Sequence, residues 1–120
     1  MTSVHINCIF IGESFYPKRL EQLSGMKLTN KEDRNSIATY GRYSGKNVSQ
    51  GSAMIESDDL DWILDQLSKN IEFIRQSGVT DIMLTVTLAY TDQCNWEFSS
   101  QQLRTMADLE IPLAISCYRN

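Results

Sequence analysis

The clearest alternation of apolar and polar positions in the chain is TDIMLTVTLAYT, residues 80–91. Ile82, Leu84, Val86, Leu88 and Tyr90 fall on one side of an extended strand, and Thr85, Thr87 and Thr91 on the other. Such a pattern predicts one face on a core and one in water, as in an antiparallel sheet. Residues 3–12 repeat it more loosely, with Val4, Ile6, Cys8 and Phe10 opposed by His5 and Asn7. LAISCY, after Pro112, predicts a closing strand. Weaker strands are expected near 37–43 (IATYGRY) and 52–56 (SAMIE), around the turn-rich SGKNVSQG. A brief edge strand is expected at CNWEF, residues 94–98, and MKLTNKEDRNS, residues 26–36, reads as a polar loop.

Three helical patterns separate these strands. In YPKRLEQLSG, Pro17 suits a first helical turn, Leu20 and Leu23 lie three apart, and Gly25 is a stop. Ser99 is an N-cap for SQQLRTMADL, whose Leu103, Met106, Ala107 and Leu109 give it a core side before Pro112 breaks it. The longest pattern, from Ser57 as N-cap to Gly78 as stop, carries Asp58, Asp59 and Asp61 where carboxylates complement the helix dipole. The order β-α-β-β-α-β-α-β predicts an α+β fold. The expected architecture is a single-layer, largely antiparallel sheet with helices on one face, a two-layer sandwich forming one domain over residues 1–120.

That long helix has one apolar feature too many. Leu60, Ile63, Leu64, Leu67, Ile71 and Ile74 wind into an arc of about 100°, a full core stripe. Trp62 and Phe73 fall together on the far side, with Asp61, Asp65 and Glu72 in a column between. Aromatics supply burial energy at interfaces, and acids beside them steer a basic partner. Asp61, Trp62, Asp65, Glu72 and Phe73 are therefore the candidate partner-binding residues. Two other readings stay open: residues 26–36 fold over the aromatics as a satellite core, or the strip is a homodimer seam.

Charge adds to this picture. The 120 residues carry a net charge of −4, the wrong sign for a protein living on phosphate backbones. Residues 18–46 hold seven bases against three acids, whereas residues 47–120 hold four against eleven, which predicts two differently charged faces. The Thr-rich sheet face (His5, Asn7, Thr85, Thr87, Ser116, Tyr118) lacks the stacked aromatics and positive surround of an RNA-binding sheet. It is expected to be solvated.

Candidate chemistry is sparse. The one histidine, His5, lies three residues from Cys8 and so on the opposite strand face, leaving only Cys94 or Cys117 to approach it across the sheet. Three scattered cysteines and one histidine do not supply zinc-ligand spacing. GRYSGKN, residues 41–47, has three residues rather than four between its glycines and Asn47 in place of Ser or Thr, so it is no phosphate-binding loop. The odd cysteine count without a CxxC pair predicts free thiols in a reducing cytoplasm. No signal peptide, membrane span, metal or cofactor is expected.

SFYPKRLEQLSG, SDDLDWIL, DIMLTVTLAY and the ending SSQQLRTMADLEIPLAISCY together resemble a family of small bacterial proteins known as domain of unknown function 4279. The resemblance implies a compact α+β unit and, by likeness to small acidic proteins of this style, an immunity protein held beside a bacterial toxin. It carries no active site over to this chain. The expectation is a non-enzymatic binding protein that neutralises a toxin's nuclease domain by covering its basic cleft, carboxylates standing where phosphates would lie. No direct contact with nucleic acid or membrane is expected. The alternatives are a small enzyme or ligand-binding domain using Cys94, Cys117 or the carboxylates, and a self-associating structural domain.

Overall fold

The computed structural model describes residues 2–33 and 50–120. Its elements in chain order are β1 (Thr2–Gly12), α1 (Pro17–Ser24), β2 (Thr29–Glu32), β3 (Gly51–Ser57), α2 (Leu60–Gln76), β4 (Asp81–Tyr90), α3 (Ser100–Asp108) and β5 (Leu113–Arg119). The strands form one mixed sheet in the order β2-β3-β1-β4-β5. All neighbours pair antiparallel except β4 and β5, which run parallel. Three helices pack against it, so the fold is the α+β sandwich that the alternating strands predict. Parallel pairing at β4–β5 follows from connectivity, because α3 carries the chain back before β5 begins.

Register explains the core. Cys8 lies opposite Ile55 on one side and Leu84 on the other, Ile6 opposite Val86, and Phe10 opposite Ala53 and Ile82. Ile6, Cys8, Phe10, Leu84 and Val86 are therefore stacked on one face of the sheet, all essentially closed to solvent. Ile63, Leu67 and Ile74 of α2, with Leu20 of α1 and Phe15, close over them. Each such side chain removed from water contributes roughly 1.5–3 kcal/mol before chain entropy is set against it.

The joint at the end of the central strand needs glycine. Gly78, at φ +102°, lies so close to the backbone of Ser14 that any Cβ there would overlap its carbonyl oxygen. Thr80 N–H then donates to Ile11 O at 2.9 Å and locks the entry of β4 beside β1.

Several expectations need correcting. Residues 26–36 are not all loop, because Thr29–Glu32 forms an edge strand on β3 with an irregular register. This strand is polar on both sides and is held by backbone pairing, so no hydrophobic period announced it. CNWEF forms no strand; β5 occupies the place beside β4 instead. The strand expected at 37–43, and most of the SGKNVSQG turn, lie outside the described residues. The N-cap of α2 is Asp59 rather than Ser57: its carboxylate accepts from Asp61 and Trp62 N–H, while Ser57 Oγ accepts one step earlier from Asp59 N–H. Aspartate wins because Ser57 is still committed to β3, paired with Ile6.

On α3, Ser99 is the N-cap as expected, completing a capping box with Gln102. The expected core side is narrower, however. Met106 is buried, but Leu103 is 49% exposed and Ala107 faces solvent. α3 packs beside α2 at the margin of the sheet, so only the part of its surface below that contact finds a core.

Candidate partner-binding surface

Among the three helices α2 lies in the middle, packed against both α1 and α3. With its underside on the sheet and a helix on either flank, its back and the rims of its flanks meet solvent. Residues 62, 66, 69 and 73 form that back at a spacing of three and four. Trp62 and Phe73 are accordingly 44% and 37% exposed, despite their size. Eleven residues apart on one helix, they stand about 16 Å from each other along its axis. Residues 29–32 are held in the sheet as β2, away from a covering role, while residues 34–36 lie outside the described residues.

The three acids do not behave as one row. Asp61 Oδ1 accepts from Gln102 Nε2 of α3 at 2.9 Å. Asp65 pairs with Lys69 at 2.8 Å, one turn on, and Glu72 with Arg75 at 3.7 Å. Three carboxylates against two bases leave this strip only mildly negative, less than the bare acid count implies. Both pairs are exposed and contribute little stability. Asp61 and Asp65 do share a feature: with Ser68, Gln101 and Thr105 they line a groove of about 190 Å³ between α2 and α3, floored by Leu64. The structure thus divides the five candidates between an aromatic back (Trp62, Phe73) and an acidic groove on its flank (Asp61, Asp65), with Glu72 further along, beside Arg75.

The expected charge asymmetry has a spatial counterpart. Lys18, Arg19, Lys27 and Lys31 are exposed on α1 and the segment that follows it, at the opposite end of the helical layer from α3. Within that basic end, Glu21 of α1 accepts from Lys31 Nζ at 2.9 Å and from Leu28 N–H at 3.1 Å. The hydrogen bond from Lys31, then that from the Leu28 backbone, holds its carboxyl below the usual glutamate value.

Thiol chemistry finds no imidazole. His5 sits on the open sheet face and reaches Glu56 Oε2 at 3.2 Å. Cys8 and Cys117 belong to the helix-side face, Cys117 being level with buried Leu88. Burial pushes the Cys8 thiol up to about 12. Partial burial and the neighbouring Cys117 thiol also raise Cys94. Among the described residues, no group of three or more His, Cys, Asp or Glu side chains is placed to hold a metal ion. No helix among them is long and apolar enough to cross a membrane.

Two features escaped the sequence pattern. The open sheet face is polar only at one end. At the other, Met54, Ile9 and Met83 form a row across three strands, with Met83 47% exposed. The apolar odd positions Ile9 and Ile11 of β1 were the available signal. A cavity of about 470 Å³ also opens where α2 ends and β4 begins, lined by Ile74, Val79, Ile82, Ile111, Arg75 and Glu110, among others. Glu110 stands there at φ +57°, the position after the α3 C-cap that usually favours glycine. No protein-family model matches this chain, and no curated protein or solved structure matches it.

Proposed function

We propose that this chain is a binding protein without catalytic chemistry of its own, which docks a protein partner on the back of α2. The observation that carries this reading is the pair of aromatics, Trp62 and Phe73, held half-exposed on a helix that packs on the sheet and between two other helices. A rigid helix presents such side chains at little further cost in entropy, which is what an anchor residue requires. The adjoining groove, with the Asp61 and Asp65 carboxylates on its wall, suits a lysine or arginine from the partner.

A toxin's nuclease domain is the partner class that this chemistry fits. Its cleft must be basic to hold a polyphosphate chain, and an acidic inhibitor reads the same charges. The weak net charge of the strip makes the aromatics the main source of affinity and the carboxylates a source of register. The deciding experiment is affinity capture from the source cell's lysate with wild type beside a Trp62→Ala/Phe73→Ala variant, followed by nuclease assays of the captured protein. Loss of a stoichiometric partner in the variant, at unchanged thermal stability, is expected. A partner retained in full by the variant removes the back of α2 from the proposal.

A second reading rests on the 470 Å³ cavity, whose apolar floor and charged rim resemble a small-molecule site. Its discriminating sign is a ligand-dependent rise in melting temperature that Ile111→Trp abolishes.

A further inference from the structure

The two edges of the sheet are built on opposite principles. β2, at one edge, is four residues long, carries Lys31 and Glu32, has an irregular register and contains Asn30 at φ +49°. Short length, charge and irregularity are how proteins stop an edge from recruiting another strand. β5, at the other edge, has none of these. It runs seven residues, LAISCYR, in unbroken register with β4 and without proline, glycine or an internal charge. Every residue from Ala114 to Arg119 is exposed, with Ile115 and Tyr118 at 53%. One face of a strand in this sheet ought to lie under helices, yet beyond Leu113, which packs against the core, neither face of β5 is covered among the described residues.

The apolar exposure continues onto α3. Gln101, Gln102 and Thr105 turn toward α2. Leu103 and Ala107, four apart on α3, therefore occupy the flank away from α2, on the β5 side of the helical layer. Leu103 is 49% exposed there. Among the described residues, an edge strand and a helix flank thus form one unpartnered margin.

We propose that this margin is the seat of a second copy of the chain, with β5 pairing antiparallel to its own counterpart and joining two sheets into one of ten strands. The strand is complementary to itself about Ser116. A two-fold axis there sets Ala114 against Tyr118 of the other copy, Ile115 against Cys117, and Leu113 against Arg119. Small meets large in the first two pairs, and the aliphatic stem of Arg119 covers leucine in the third. No like charges face one another, since the two Arg119 side chains lie at opposite ends of the ribbon, about 20 Å apart. This matters for a chain of net charge −4, whose copies repel except where their surfaces are uncharged.

A free peptide strand would satisfy the β5 backbone but leave Leu103 in water. A second copy brings its own α3 flank on the same side of the sheet and covers both. That addition also matters for size, because a strand pair alone falls short of the roughly 1,200 Å² that a stable interface buries. The seat is separate from the back of α2, so it does not rest on the proposed partner reading.

Sedimentation velocity under reducing conditions at about 100 µM, where mass action favours association, tests it directly. Wild type is expected to sediment as a dimer, and Ile115→Lys as a monomer whose melting temperature matches that of wild type diluted until it dissociates. The Trp62→Ala/Phe73→Ala variant is expected to remain a dimer. Ser116→Cys in a Cys117→Ser background places two thiols across the axis, and mild oxidation is expected to link the copies covalently. Monomeric wild type overturns the proposal. So does a dimer that survives Ile115→Lys, or one that Ser116→Cys leaves unlinked.

Discussion

The Gln102 side chain of α3 donates from Nε2 to Asp61 Oδ1 of α2 at 2.9 Å while its Oε1 accepts from the Ser99 N–H that opens its own helix. One amide therefore does two jobs: it completes the capping box and ties α3 to α2. α3 has one buried side chain, Met106, so this polar tie is a sizeable part of what fixes its position.

Gln102→Ala is expected to destabilise the fold by about 1–2 kcal/mol, the loss of a cap and one interhelix hydrogen bond. Gln102→Glu keeps the cap acceptor but sets a second carboxylate against Asp61. Its cost should fall in an Asp61→Asn background, where the repulsion is absent. Urea unfolding of the four chains in that cycle measures the coupling, and a coupling near zero would mean the bridge carries no energy.

Glu21 links α1 to β2 through Lys31 and Leu28, and the folded carboxyl ionises below its ordinary value of 4.5. A depressed acid of this kind contributes stability above the unfolded pKa and loses it as pH falls through the folded value. Glu21→Gln should therefore cost roughly 1 kcal/mol at neutral pH, a modest figure because the ion pair meets solvent. The difference from wild type should shrink steadily below pH 4.5. Chemical denaturation across that range reads it, and a gap independent of pH would assign the effect to packing.

Glu110 occupies the left-handed position that ends α3, where Glu110 N–H donates to Ala107 O and Ile111 N–H to Met106 O. Glycine adopts this conformation freely, whereas a side chain there costs about 1 kcal/mol. Glu110→Gly is expected to raise stability by up to about 1 kcal/mol, partly offset by the freer unfolded chain. A lowered melting temperature would show that the carboxylate makes a stabilising contact at the cavity wall.

Cys8 is closed to solvent beneath α2 with its thiol pushed up to about 12, Cys94 is half-buried and raised, and Cys117 is exposed on β5. Alkylation of the Ile115→Lys chain, whose β5 is left uncovered, should modify Cys117 first, Cys94 slowly, and Cys8 only on unfolding. Peptide mapping against time gives the order. Rapid labelling of Cys8 would contradict the core packing around it.

Strands β1 and β4, the α2 core stripe, Leu20 of α1 (though not Leu23, which is exposed) and the Ser99 cap of α3 were legible because each is a local rule applied to neighbouring residues. Alternation placed Ile6, Cys8 and Phe10 inward, and the stripe from Leu60 to Ile74 did the same for α2. The candidate strip was legible in part: helical winding put Trp62 and Phe73 opposite the core, and the structure leaves them there. What winding could not supply was the state of the acids. Asp61 meets Gln102, forty-one positions away, and no local period encodes that encounter.

The sequence by itself determined which faces of its strands and helices shun water, since that depends on side-chain order and on the fixed periods of helix and strand. Only the tertiary structure decided which of those faces are covered. β2 is a strand because β3 offers it a backbone edge, not because its residues ask for one. Leu103, Ile115 and Met83 are apolar in sequence and exposed in space, and Met54 and Ile9 beside Met83 are half-exposed, because three helices do not cover the sheet margins or its far face. Burial is a property of neighbours, and the order of residues along the chain does not list them.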